Sequence, residues 1–174
     1  MEFEEVIRLR RSTRAFASQE VSRDELERIV DAAQLAPIAG ADYSMSHITV
    51  VTDAALLDEI RTRCAFRRKD GTMLDPLYGA TALIVLSATG PSDDNIEFCN
   101  VACAIENMSL AATDLGLGSV YLWGYIKKLA TMPDLVAKLG LPEGYTVLSS
   151  LGVGHALEPA APREPKEKIA VDWI

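Results

Sequence analysis

Between Phe98 and Leu115 the chain reads FCNVACAIENMSLAATDL, a helical segment with apolar residues around most of its circumference. Val101, Ala102, Ile105, Met108, Leu110 and Ala112 do not collect on one stripe, so this helix must be covered on all sides. The chain has 174 residues, the size of one domain with a single core. A domain of that size rarely surrounds so long a helix alone. Two arrangements are open: a central helix wrapped by its own sheet and loops, or a helix that a second subunit completes. Gly116 and Gly118 close the segment, since glycine readily takes the left-handed backbone on which helices end.

Period and punctuation predict the other elements. Phe3, Val6 and Ile7 follow helical spacing, so residues 2–10 form a short helix ending in arginines. Ser22-Arg23-Asp24-Glu25 is a capping box. It opens a helix with Leu26, Ile29, Val30 and Ala33 on one stripe, which stops near Ala36-Pro37 because the residue before proline disfavours helix. PIAGADYSMS has loop composition, and His47 to Val51 is a strand rich in β-branched residues. Asp53 caps a helix through Leu56, Leu57 and Ile60. Residues 66–78, polar with Gly and Pro, form a longer loop. Ala82 to Ser87 is an unbroken apolar run, a strand buried on both faces. Ser119 to Trp123 and Tyr145 to Val153 are further strands, with a helix from Pro133 to Leu139 between them. Residues 1–174 therefore read as one domain, a sheet of about four strands flanked by helices in an α+β or α/β sandwich. From Glu158 the chain is proline-rich and extended, and it ends in Ile169, Val171, Trp173 and Ile174. So apolar a tail has to pack, on its own core or on a partner.

Composition removes several function classes. Apolar residues are 49% and charged residues 24%, the balance of a folded soluble domain. A formal net charge of −8 argues against nucleic acid as a partner, because phosphate backbones need a basic surface. MEFEEVIRLRR lacks the apolar run of a secretory signal, and nowhere do 18 apolar residues follow one another. A cytoplasmic protein with no membrane span is expected. Cys64, Cys99 and Cys103 lack metal-site spacing, so no metal is expected; Cys99 and Cys103 are read as small buried hydrophobes on one helix face. His47, within a strand, and His155, after G-V-G, are read as structural. There is no G-x-S-x-G elbow, H-E-x-x-H pair or Walker loop, and the G-L-G at Gly116 to Gly118 follows a helix rather than a strand. An enzyme built on this chain depends on a cofactor.

Against this acidity, Arg8, Arg10, Arg11 and Arg14 fall within seven residues. Guanidinium forks suit phosphate oxygens, and Ser12 adds a short donor at the same place. The competing reading is a basic helix C-terminus that only complements the dipole. Arg163, within P-R-E-P, is a second basic point if the fold brings it close.

R-R-S-T-R-A-F near the N-terminus, A-P-I-A-G before a strand, E-N-M-S-L-A-A-T-D-L-G-L-G-S on the long helix, L-P-E-G-Y, V-G-H, and P-R-E-P before a terminal tryptophan occur in that order. Together, over nearly the whole chain, they resemble the nitroreductase superfamily. The resemblance implies an α+β three-layer sandwich with a central, mainly antiparallel sheet, in an intertwined homodimer whose tail from about residue 158 packs on the partner subunit. It implies an FMN-dependent oxidoreductase passing electrons from NAD(P)H to nitroaromatic, quinone or related acceptors in a ping-pong cycle. FMN would lie at the dimer interface, contacted by both subunits. By position, Arg10, Arg11 and Ser12 match residues that hold the FMN phosphate and ribityl chain, and Arg163 matches an arginine reaching the phosphate from the far end of the sequence. Arg14 matches a basic residue near the pyrimidine edge of the flavin. Pro37, Ile38 and Ala39 match a loop contacting the flavin from the other subunit. Leu122, Trp123 and Gly124 match the segment that passes backbone groups over the ring, with an amide near N5. No protein acid or base is implied, because the chemistry belongs to the flavin.

The chain departs from the family pattern in its A-P-I-A-G-A-D-Y-S-M segment, where many relatives have A-P-S-x-x-N-x-Q-P-W. Ala41 replaces an amide, Tyr43 a glutamine and Met45 a tryptophan, while Asn100 and Glu106 replace the commoner Asp and Gln on the long helix. No extra helical excursion covers the pocket, which leaves an open site that Tyr43, Phe66 and Tyr78 either line or merely flank as packing. The alternative to an enzyme is a non-catalytic FMN-binding sensor or carrier on the same scaffold.

Overall fold

Successive side chains of a strand point to opposite faces, and the apolar run from Ala82 uses both. Ala82, Ile84, Leu86 and Ala88 enter one core while Leu83 and Val85 enter another. Two cores on one strand require helices above and below it. The computed structural model describes residues 1–89, 92–166 and 169–174. Its main strands are β1 (Ser46–Val51), β4 (Ala82–Thr89), β5 (Gly118–Leu122) and β6 (Tyr145–Gly154), joined in the order β1-β4-β6-β5 with every pairing antiparallel. A two-residue ribbon, β2 (Phe66–Arg67) against β3 (Met73–Leu74), stands apart. Helices α2 (Arg23–Gln34) and α4 (Ile96–Asp114) pack on one face of the sheet. On the other lie α3 (Ala54–Cys64), α5 (Ile126–Leu129) and α6 (Pro133–Ala137). The short α1 (Phe3–Leu9) rests against α4. No helix among the described residues is long and apolar enough to cross a membrane.

Most boundaries follow the local chemistry. The capping box forms in both directions: Ser22 Oγ accepts from the Glu25 amide at 3.3 Å, and the Glu25 carboxylate accepts from the Ser22 amide at 2.8 Å. Ser22 Oγ also donates to the Glu25 carboxylate at 2.6 Å, and this bond, with that from the Ser22 amide, holds the Glu25 carboxyl below its ordinary range. Asp53 caps α3 through the Leu56 amide at 2.7 Å. Two expectations change. The segment 66–78 is not all loop, because Gly71 (φ 87°) lets it fold back into the β2–β3 ribbon. Between β5 and α6 the chain makes the single helical turn of α5, too short to show a period in sequence.

Cysteine burial is corrected as well. Cys64 is buried, and burial pushes its thiol pKa up. Cys99 and Cys103 are exposed. They lie with Ala102 and Glu106 on a stripe of α4 that neither the sheet nor α2 reaches. Of the two arrangements open to this apolar helix, the chain's own sheet and loops therefore supply only part of the cover. The tail behaves alike: Ile169 is 80% exposed and Trp173 94%.

After α1 the chain runs along the free edge of β5. Ser12 bridges Ser119 in parallel, the Thr13 amide donates to the Ser119 carbonyl at 2.8 Å, and the Ala17 amide donates to the His155 carbonyl at 2.8 Å. Close approach depends on Gly118, where an added Cβ would stand 2.8 Å from the Thr13 side chain. Gly118→Ala is expected to destabilise the fold by about 1–3 kcal/mol, as other overpacked sites do. Thermal unfolding checks this; an unchanged midpoint would show that the edge segment is not held there.

Candidate active site

Docked on β5, residues 10–14 are extended, so their side chains alternate. Arg10, Ser12 and Arg14 share one face. Arg11 and Thr13 share the other, where both line a cavity of about 410 Å³ with Gly118, Ser119 and His155. Arg11 donates through Nη2 to the Ala161 carbonyl, while its Nε is buried with no partner. Arg10 Nε lies 3.4 Å from the Glu106 carboxylate on α4.

The tail closes on this segment from the far end of the sequence. The Arg163 amide donates to the Arg8 carbonyl at 3.0 Å, and Arg163 Nη2 donates to the Arg10 carbonyl. Arg8 Nη1 reaches both Glu164 oxygens at 2.7 Å, and Arg8 Nη2 reaches Glu4 at 2.8 Å. Glu4 first, then Glu164, push the Arg8 guanidinium pKa further up. The fold thus docks the tail at residues 161–164 on the backbone of residues 8–11, with Arg11 and Arg163 lining separate cavities.

At the other end of β5 stand Leu122, Trp123 and Gly124. Leu122 is buried, and its carbonyl accepts from Ser149 Oγ and Ser150 Oγ, each at 3.2 Å. Beneath it the Tyr125 hydroxyl lies 3.0 Å from Ser150 Oγ, and complete burial keeps that phenol well above its usual pKa. Trp123 is 56% exposed, and open space surrounds the position a Gly124 Cβ would take. Sequence reading passed over these supports; their signal is a pair of hydroxyls inside the otherwise apolar VLSSLGV strand. Nearby, the Arg14 guanidinium lies 5.9 Å from the ring centroid of Tyr78, a half-buried residue with φ 55°.

Pro37, Ile38 and Ala39 sit elsewhere. The Ala39 amide donates to Asn100 Oδ1 on α4 at 3.0 Å, a role that the commoner aspartate fills equally. Among the described residues no hydrogen bond or ion pair links this loop to Arg10–Arg14. Asn100 and Glu106 are six residues apart, roughly 9 Å along the helix axis. Loop and arginines therefore flank the bare stripe of α4 at separate points. Gly40 (φ 65°) and Ala41 (φ 54°) turn the loop back on itself, so Ala41 occupies a left-handed position. Tyr43, bonded through its hydroxyl to the Ala36 carbonyl at 3.2 Å, lines a cavity of about 330 Å³ with Ile38, His47 and Asn100. Phe66 packs against the core on the α3 side of the sheet.

A model of the Nitroreductase family matches residues 7–155. The chain belongs to the nitroreductase family. A relative from Archaeoglobus fulgidus, provisionally named NADH dehydrogenase/NAD(P)H nitroreductase, is 33% identical over 172 residues, 96% of this chain and 89% of that one. A nitroreductase from Bacteroides fragilis solved with bound FMN is similar at a TM-score of 0.82 and 30% identity, covering 100% of this chain and 98% of its own. One from Desulfitobacterium hafniense, also with bound FMN, gives 0.81 and 25%, with 99% and 100% covered. The three-layer sandwich of this chain is accordingly the fold of an oxidoreductase family. Arg10–Arg14, Pro37–Ala39 and Leu122–Gly124 fall inside the matched span, and Arg163 lies beyond it.

Proposed function

We propose that this nitroreductase is an FMN enzyme that passes electrons from NAD(P)H to nitroaromatic, quinone or related organic acceptors by a ping-pong cycle, as a cytoplasmic homodimer. The observation that supports the reading is the docking of the tail on the arginine segment, Arg11 bonding the Ala161 carbonyl and Arg163 the Arg10 carbonyl, in a chain of net charge −8. The residues present fit the cofactor. Arg11, with a buried, unpartnered Nε, stands at one end of β5, and an open backbone at Gly124 stands at the other. FMN-bound neighbours of the same fold support the choice. Bound FMN would supply the redox chemistry, taking hydride from reduced nicotinamide and releasing electrons to the acceptor.

The chain's own residues bind, orient and set charge. Arg10, Arg11, Ser12 and Arg163 hold the phosphate and ribityl chain. Arg14, at the pyrimidine edge, favours the electron-rich state by its charge. Leu122, Trp123 and Gly124 present backbone groups to the ring, braced from below by Ser149 and Ser150. The partner subunit contributes Pro37, Ile38 and Ala39, covers the bare stripe of α4 and receives the apolar tail.

Purified protein is expected to be yellow and to carry about one FMN per chain. A colourless protein that takes up no added FMN refutes the assignment. Steady-state oxidation of NADH or NADPH with a quinone should give parallel double-reciprocal lines. Bound FMN with no turnover on any acceptor would mark a sensor or carrier instead.

A further inference from the structure

Tyr78 occupies left-handed backbone at φ 55°, where so bulky a side chain stays only if its surroundings hold it. Here they do. Asp75 accepts from the Leu77 and Gly79 amides, each at 2.7 Å, and the Tyr78 amide donates to the Asp75 carbonyl at 3.2 Å. Arg61, on α3, donates to the Ala80 carbonyl at 2.6 Å and lies 3.7 Å from the Asp75 carboxylate. The turn from Asp75 to Ala80 is fastened to a helix at both ends. What it presents is the Tyr78 ring, at a distance where an aromatic face attracts a cation. Among the described residues, Arg14 makes no ion pair and no side-chain hydrogen bond, so this ring is its one specific partner.

We propose that Tyr78 is a positioning residue that holds the Arg14 guanidinium in one place, and so sets how strongly the protein prefers reduced over oxidised FMN. The proposal rests on the FMN and Arg14 assignments above. An arginine free to swing spreads its charge over many positions and into water, and its field at any fixed point falls with distance. A ring pinned by a strained, doubly anchored turn restricts that swing.

Three variants separate the ring from the turn. Tyr78→Phe keeps the aromatic face, and Tyr78→Leu keeps bulk without it. Tyr78→Gly removes the side chain but suits the left-handed backbone, so the turn survives. The first measurement uses FMN-free protein: the Arg14 Nε–H resonance, assigned with Arg14→Lys, should be shifted upfield by the ring current. That shift is expected to persist in Tyr78→Phe and to vanish in the other two. The second is the ratio of affinities for oxidised and reduced FMN, from titration against redox dyes. Tyr78→Phe should keep the wild-type ratio, while Tyr78→Leu and Tyr78→Gly move it roughly three- to tenfold toward the oxidised form. Tenfold corresponds to about 30 mV for a two-electron couple. In an Arg14→Gln background Tyr78→Gly should add nothing. An unchanged ratio with FMN bound, an equal change in the Arg14→Gln background, or an upfield shift surviving in Tyr78→Gly would each overturn the role of Tyr78 alone. Wild-type protein that takes up no FMN would overturn the cofactor assignment and this role with it.

Discussion

Arg163→Ala is expected to weaken FMN binding roughly 10- to 150-fold. That range follows from about 1.5–3 kcal/mol for one lost charge-assisted contact, at 1.4 kcal/mol per factor of ten. In the structure the amide and guanidinium of this arginine pin the tail to the Arg8 and Arg10 carbonyls. Its proposed second duty is to face the FMN phosphate with the rest of the fork. Alanine keeps the amide bond, so the tail should stay docked while the charge is lost. Arg11→Ala should weaken binding in the same range, because its unpartnered Nε already lacks a counter-group. Fluorescence titration of apo-protein with FMN reads both. Unchanged affinity in the two variants would mean that the phosphate sits elsewhere.

Ala102→Arg is expected to convert the protein from about twice the chain mass to a monomer, because a buried charge without a partner costs several kcal/mol. Sedimentation measures it, and FMN should be lost in the same variant if Pro37–Ala39 act across the interface. Thiol labelling gives an independent reading. Cys99 and Cys103 flank Ala102 on the bare stripe, so a reagent should find them slow in wild-type protein and fast in the variant. Rapid labelling of both in wild-type protein, or a stable wild-type monomer, would rule out a partner on this face.

The frame of the molecule was readable wherever local chemistry decides structure. A serine three residues before a glutamate and the apolar run from Ala82 each have one cheap solution, and the structure shows both. Cys99 and Cys103 were misjudged for a definable reason: hydrophobic pattern says that a helix needs cover, not which flank its own chain will cover. Arg11 shows a second limit. Four clustered arginines read as one patch, but docking on β5 alternates their faces, and that docking depends on a pairing with Ser119 more than a hundred residues away. Tyr78 shows a third. D-P-L-Y-G announces a turn, yet only the Arg61–Asp75 anchor makes its tyrosine adopt a glycine-like backbone. Partners distant in sequence carry no local signature.

The strap between residues 8–11 and 161–164 also has a consequence in time. Residues 8–11 precede every strand of the sheet, and residues 161–164 follow the last of them. If the proposed FMN site is right, cofactor binding waits until the sheet between the two segments has formed, and cleavage shortly before Pro162 is expected to spare the sheet while weakening FMN binding.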